Sequence, residues 1–446
     1  MTPATPRPPA GAPAGAAGAG VEPSGGSSPA ACLRYGLLGL PLAFVALPLY
    51  VHLPNVYASR YGVPLATLGL VLLLARLFDA LTDPWLGRLG DRLLARSVGR
   101  LLGVAGLAAL LLVIGMALLF FPPWPEPGHV GVLLAMLIMT SAAYSMLAIA
   151  HQSWGARLGG DELQRARIVA WREGAGLVGV VLASVLPSWL GWGPWMTVFA
   201  LTLAAGGLAW AFSPAPLRLQ SGAAPWREDL LHPWRQPGFG RLMAVFVISG
   251  MASAVPATLV LFFIQDRLQA PAQEPLFLAT YFVAAALSMP LWMRVVRRWG
   301  LLRGWLSGML LSVAVFAWAA LLSHGDAMAF WAVCALSGMA LGADLALPGA
   351  LLAGLIDERG DRGRREGAYF GWWNLASKLN LALAAGLALP LLDLLGYRPG
   401  ATDAGALQAL TLAYAVLPCA LKLLAAALLY RAFLRHRPNS SLAEAP

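Results

Sequence analysis

A helix needs about 20 consecutive, predominantly apolar residues to cross the hydrocarbon core of a bilayer, and this chain meets that requirement repeatedly. Twelve apolar runs fall at roughly 34–56, 64–87, 101–121, 130–153, 169–192, 195–213, 241–265, 276–296, 304–323, 328–354, 368–393 and 404–431. Proline and glycine mark the joints, as in PPWPEPG from 122, GWGP from 191 and GYRPG from 396. Inside lipid every backbone N–H and C=O must be satisfied within the structure, and runs of this length do so as helices. Charged residues make up only 12% of the 446 residues, about half the share of a soluble domain. The expected fold class is an all-α polytopic membrane protein with 12 transmembrane helices.

The longest polar interruption, about 214–240, separates six runs from six. The expected organisation is a six-helix bundle over 34–213, a cytoplasmic linker over 214–240 and a second six-helix bundle over 241–431, with tails at 1–33 and 432–446. The first tail is almost entirely Pro, Ala, Gly and Ser, which bury too little apolar surface to become ordered. It also lacks the basic-then-apolar pattern of a secretory signal. Basic residues then choose the sides. Of 31 Lys and Arg, only Arg60, Arg267 and Arg398 fall in the loops of one side, while the opposite loops and both tails hold nearly all the rest. Positive loops stay inside, so both termini are expected in the cytoplasm. Only Lys378 and Lys422 are lysines, and this bias toward arginine, with abundant Ala, Gly and Pro, points to a GC-rich bacterial genome and so to the bacterial inner membrane.

A net charge of +10 raises the question of nucleic acid, but the basic residues form short clusters between apolar runs rather than a stripe, so no nucleic-acid partner is expected. Cys32, Cys334 and Cys419 lie far apart without CxxC spacing and read as small apolar residues. There is no HExxH, no GxSxG with triad partners and no phosphate-cradling glycine loop, so an enzyme is not expected, nor any cofactor beyond a coupling ion. The expected partners are the bilayer, a small-molecule substrate and a coupling cation, with the chain acting as a monomer.

The chemistry concentrates in RLFDALTDPWLGRLGDR, residues 76–92, in the second run. Asp79 and Asp83 are four apart and share a helix face with Arg76. An ionised group at membrane depth costs about 2.5–3.5 kcal/mol, so this face must look into the bundle or onto water. Pro84 cannot donate to the carbonyl of Ala80, and Thr82 adds a hydroxyl nearby. Two carboxylates, a freed carbonyl and a hydroxyl make an oxygen-lined site for H+ or Na+, with Asp79 and Asp83 as metal ligands only if the ion is Na+. The alternative is an ion-pair lock between helices. Lys378, in the eleventh run, needs a carboxylate from another helix and is expected beside Asp79 and Asp83.

Arg172, at the start of the fifth run, either snorkels to the surface or binds substrate. Asp344, near the middle of the tenth run, is a candidate substrate group, with a hydrogen bond to a neighbouring helix as the plain alternative. Lys422 is expected to snorkel. Trp372 and Trp373 are adjacent, so at most one faces a cavity; Trp373 is the candidate. Gly87, Asp91, Arg92, Gly99 and Arg100 form a G-x-x-x-D-R…G-R pattern expected to be a gating loop.

That pattern resembles the signature loop of the major facilitator superfamily, which latches the cytoplasmic ends of its two halves. PWLGRLGDR after the second run and PLWMRVVRRWG after the eighth echo each other, as that fold's two six-helix repeats require. RLFDALTDPWLG, RARIVAWRE and RREGAYFGWWNLASK resemble, in order, motifs of the second, fifth and eleventh helices of the glycoside–pentoside–hexuronide:cation symporters. The resemblance implies alternating-access symport of a sugar-like solute, with Asp79 and Asp83 binding the cation, Lys378 beside them and Arg172 touching substrate. Two positions depart from the family: Ala43 and Ala148 stand where sugar-contacting aspartates are found in a well-known member. The missing acids weaken a galactoside assignment and keep a lipid-like or amphiphilic substrate as the rival, with a non-transporting sensor behind it.

Overall fold

A computed structural model describes residues 28–53, 56–57, 61, 63–123, 130–218, 226–398 and 400–435. The N-terminal tail through 27, Arg60, part of the proline-rich joint after 122 and the tail from 436 lie outside the described residues. Among those described, every regular element is a helix. The first span is broken into α1 (Pro29–Gly36) and α2 (Gly39–Leu47), continued by a wide turn at Pro48–His52. Its helix starts earlier than the expected tail boundary at 33, because Ser28 caps it by accepting the N–H of Ala31. The first half continues with α3 (Leu65–Arg96), α4 (Val98–Phe120), α5 (Val130–Leu158), α6 (Glu162–Leu190) and α7 (Trp192–Ala211).

A short linker helix, α8 (Trp226–Arg235), leads to α9 (Phe239–Phe262), α10 (Glu274–Ala319), α11 (Ala327–Glu358), α12 (Glu366–Leu394), α13 (Ala404–Thr411) and α14 (Leu417–Leu429). The long α10 is two spans. Gly300 interrupts it at φ 78 and ψ 170, a conformation that glycine adopts without Cβ strain. The matching joint of the first half is Ser97, extended at φ −168 and ψ 140, between α3 and α4. Both echoed motifs therefore close a helix and open the next through a single non-helical residue.

Seven helical segments among the described residues are long and apolar enough to span a membrane by composition alone. Counting α10 as two, the remaining spans are the broken first one and α3, α6 and α12, which carry the ionisable groups of the sequence motifs. Three apolar clusters hold the bundle. One lies wholly within residues 32–210 and another within 255–415. The third joins Ala166, Val169 and Ala170 of α6 to Leu347, Ala350 and Phe370 of the second half. The halves thus share apolar core at the end carrying the basic loops, referred to below as the basic end.

Candidate functional site

Lys378 projects from α12, three turns in from the basic end, into the face of α3 that carries the acid pair. Its ammonium lies 2.7 Å from Asp79 Oδ2 and 2.7 Å from Asp83 Oδ2. It donates to Asp83 Oδ1 at 2.8 Å and to Ser145 Oγ of α5 at 2.7 Å, and Ser145 Oγ donates to Asp79 Oδ1 at 2.7 Å. The contacts with the two Oδ2 atoms are ion contacts rather than well-directed hydrogen bonds. Both carboxylates are buried, at 1% and 0% exposure, while the lysine keeps 14%. That remnant opens onto a cavity of about 190 Å³ whose lining includes Arg76, Ser141, Tyr144, Asn374 and Ser377. With all three charged, the two carboxylates and the ammonium sum to −1, and Arg76 stands at the wall beside them. The i, i+4 spacing and the demand for a partner from another helix placed these residues correctly. Ser145 was missed, since a lone serine in an apolar run carries no signal.

Helices α3 and α12 cross in backbone contact just beyond this cluster. A Cβ on Gly87 would collide with the carbonyl oxygen of Gly367, and one on Gly367 with that of Gly87. A Cβ on Gly371 would sit 2.6 Å from Pro84 Cα. Small residues are what permit such an approach.

The basic end is sealed by charge. Asp91 of α3 accepts the N–H of Gly367 at 2.7 Å and of Ala368 at 2.9 Å, capping the first turn of α12 from the other half. Arg157 of α5 holds Asp91 at 2.5 Å, donates to the carbonyl of Gly363 at 3.0 Å and lies 3.0 Å from Glu366 Oε2. A second cross-half cap pairs Glu162 of α6 with the N–H of Leu301 at 2.9 Å, where the ninth span begins. Negative charge at a helix N-terminus meets unsatisfied N–H groups and the positive end of the dipole. Asp229 of the linker helix bridges Arg88 of the first half and Arg365 of the second, the latter at 3.2 Å. His232 reaches Asp361 at 2.8 Å, and Trp372 Nε1 donates to the carbonyl of Leu230 at 2.9 Å.

The expected gating loop is corrected here. Gly87, Asp91 and Arg92 are not in a loop: the stretch is helical through Arg96, because RLLAR has no helix-breaking residue before Ser97. Gly99 and Arg100 fall in the first turn of α4, with the Gly99 N–H held by Ser97 Oγ at 3.1 Å. Thr82 donates to the carbonyl of Asp79 at 3.0 Å, bonding back to its own helix. Arg172 pairs with its neighbour Glu173 at 2.5 Å and does not line the cavity beside Lys378. Trp373 is buried and stacked on Phe246 with ring centroids 3.6 Å apart. Ala43 lies beside Gly179 of α6, so an acid there would face that helix.

Asp344 is not isolated and Lys422 does not snorkel. They pair at 2.5 Å, with Trp305 Nε1 donating to Asp344 at 3.0 Å and Lys422 also donating to Ser249 Oγ at 2.9 Å and Ser253 Oγ at 3.0 Å. A lysine with three polar partners inside the bundle has no need to reach the surface.

The family model described as MFS/sugar transport protein matches residues 33–435. The chain belongs to that family. It is a multi-pass membrane transporter with the major facilitator fold, and its crossing of α3 and α12 joins the family's two halves. A Deinococcus radiodurans protein provisionally named a sugar efflux transporter is 30% identical over 259 residues. That match covers 54% of this chain and 63% of the relative, less than two thirds of its length. Among solved structures, a bacterial homologue of the iron transporter ferroportin, in an outward-facing state, superposes with a TM-score of 0.67 at 16% identity, covering 90% of this transporter and 98% of that chain. The human organic anion transporter MFSD10 gives 0.63 at 20% identity, covering 90% and 98%. The Escherichia coli fucose:proton symporter gives 0.63 at 13%, covering 89% and 97%. At these identities the likeness concerns the fold.

Proposed function

We propose that this transporter is a cation-coupled symporter of a small hydroxylated, sugar-like solute, working by alternating access, with Asp79, Asp83 and Lys378 as its coupling centre. The observation that carries the reading is the position of Lys378: its ammonium occupies the place between two carboxylates where a coupling cation would bind. A proton or Na+ arriving at Asp79 and Asp83 competes with that ammonium. Lys378, once released, faces the cavity and donates to the solute. Cation binding thereby prepares the solute site, which is the linkage that symport requires.

Arg76, Ser141, Tyr144, Asn374 and Ser377 give the cavity several hydrogen-bonding groups, which favours a hydroxylated solute over an amphiphile. The family's description as sugar transport and the name of the Deinococcus relative support the same class. With the basic end in the cytoplasm of a bacterial inner membrane, the sealed end faces inward. Cytoplasm-active reporters fused near 95 and 362 should then signal and fusions near 270 should not; the reverse would invert the topology. Uptake into proteoliposomes, across a panel of sugars with pH and sodium gradients imposed separately, tests the function. Accumulation of a sugar under one gradient is expected, and a panel that shows only passive leak would overturn the reading.

A further inference from the structure

Asp344 and Lys422 pair inside the second half, and Asp344 walls a cavity of its own. The cavity holds about 130 Å³ and runs from Asp344 between α9, α10 and α11 toward the end opposite the basic loops. Its walls are largely apolar and aromatic, with Phe277, Tyr281, Phe282 and Phe316 around the space and Ser253 and Asp344 at one end. The ion pair is asymmetric. Lys422 is 2% exposed and fully occupied by Asp344 and two serines, whereas Asp344 keeps 15% of its side chain open. Its Oδ1 holds the Trp305 N–H and its Oδ2 the Lys422 ammonium and Ser253 hydroxyl. A carboxylate has about four lone-pair sites and three are taken, so Asp344 can accept one more donor from the cavity it lines.

We propose that this cavity is a second binding site, specific for an uncharged molecule of one aromatic ring bearing a hydroxyl, a phenol in chemical class. Size sets the ring count: a cavity of about 150 Å³ lined by apolar side chains holds one benzene. Charge sets neutrality, since Lys422 already balances Asp344 and a second charge would be buried without a partner. Chemistry sets the hydroxyl, because it donates to the open face of Asp344 while the ring packs edge and face against the aromatic walls. The site is separate from the cavity beside Lys378, so it stands or falls independently of the coupling reading.

The test is 19F NMR of 4-fluorophenol added to the full chain in lipid nanodiscs, against empty nanodiscs. A shifted resonance that saturates at one molecule per chain is expected. 4-Fluorotoluene, which lacks the donor, should bind at least about tenfold more weakly. Ala257→Phe and Ser312→Phe, which each fill the cavity from a different helix, should abolish the bound resonance while leaving far-ultraviolet circular dichroism unchanged. The two substitutions keep the test open if one of them fails to fold. Absence of a saturable resonance overturns the site, equal affinity for the toluene overturns the role of Asp344, and survival of the resonance in a folded cavity-filled variant places the ligand elsewhere.

Discussion

Asp91 accepts the backbone N–H of Gly367 at 2.7 Å across the boundary between the two halves, so a carboxylate of the second span caps the eleventh. Such a cap exists only while the basic end is closed. It joins a conformational state to the hydrogen bonding of two particular amides. Asp91→Asn keeps the size of the side chain and removes its charge, leaving Arg157 with Glu366 alone. Loss of a buried charge partner costs about 3–5 kcal/mol. Hydrogen exchange at Gly367 and Ala368 should accelerate by at least about a hundredfold in the variant, while amides in the middle of α5 stay protected. Unchanged exchange at 367 and 368 would mean the cap contributes nothing to closure.

The glycine crossing makes a sharper demand. Gly87→Ala places a methyl group against the carbonyl of Gly367, which cannot retreat without separating the helices. Each half should still fold, since the clash lies between them. Spin labels at exposed positions 100 and 359 should report a longer distance than in the wild type, by several ångströms, and transport should fall about tenfold or more. An unaltered distance distribution would show that the helices do not need this approach in the closed state.

The pair buried in the second half invites a double-mutant cycle. Lys422→Met leaves Asp344 without its cation, and Asp344→Asn leaves Lys422 without its acid; each should lower stability by about 3–5 kcal/mol. The double variant should recover most of that loss, because two neutral groups of similar size have no stranded charge. Thermal melting of the detergent-solubilised variants reads the cycle. Strictly additive losses would separate the two residues energetically despite their 2.5 Å contact.

These outcomes also mark what the sequence disclosed. The helical runs were legible from their length and apolarity, and the grouping of Asp79, Asp83 and Lys378 because burying charge in lipid is costly, so ionisable groups there need partners. Asp344 and Lys422 fall under the same rule, yet 78 residues separate them and each had a plausible separate explanation. Arg157, Asp229 and Asp361 were read only as parts of polar loops, and Glu366 as part of a polar loop and of the eleventh-helix motif. The acids within those basic loops were the available signal, since an acidic residue placed among arginines needs a local reason. Gly87 and Gly367 were beyond reach: a glycine in a helix announces a close approach, but not which helix approaches. Arg172 was drawn toward a solute site by motif and Trp373 by its place beside Trp372, whereas pairing with Glu173 and packing against Phe246 describe where they lie.

In the proposed coupling, cation binding at Asp79 and Asp83 drives solute accumulation by competing with Lys378. The measurement that meets it most directly is accumulation in proteoliposomes of whichever solute the panel identifies, comparing wild type with Asp83→Asn under the gradient that drives the wild type. Asp83→Asn leaves Lys378 paired one-to-one with Asp79, with no surplus negative charge for a cation to neutralise. The variant should equilibrate solute across the membrane, through exchange or downhill flux, without concentrating it. Accumulation by Asp83→Asn to the wild-type level would rule out this coupling and leave the cluster as an ion-pair lock between α3 and α12.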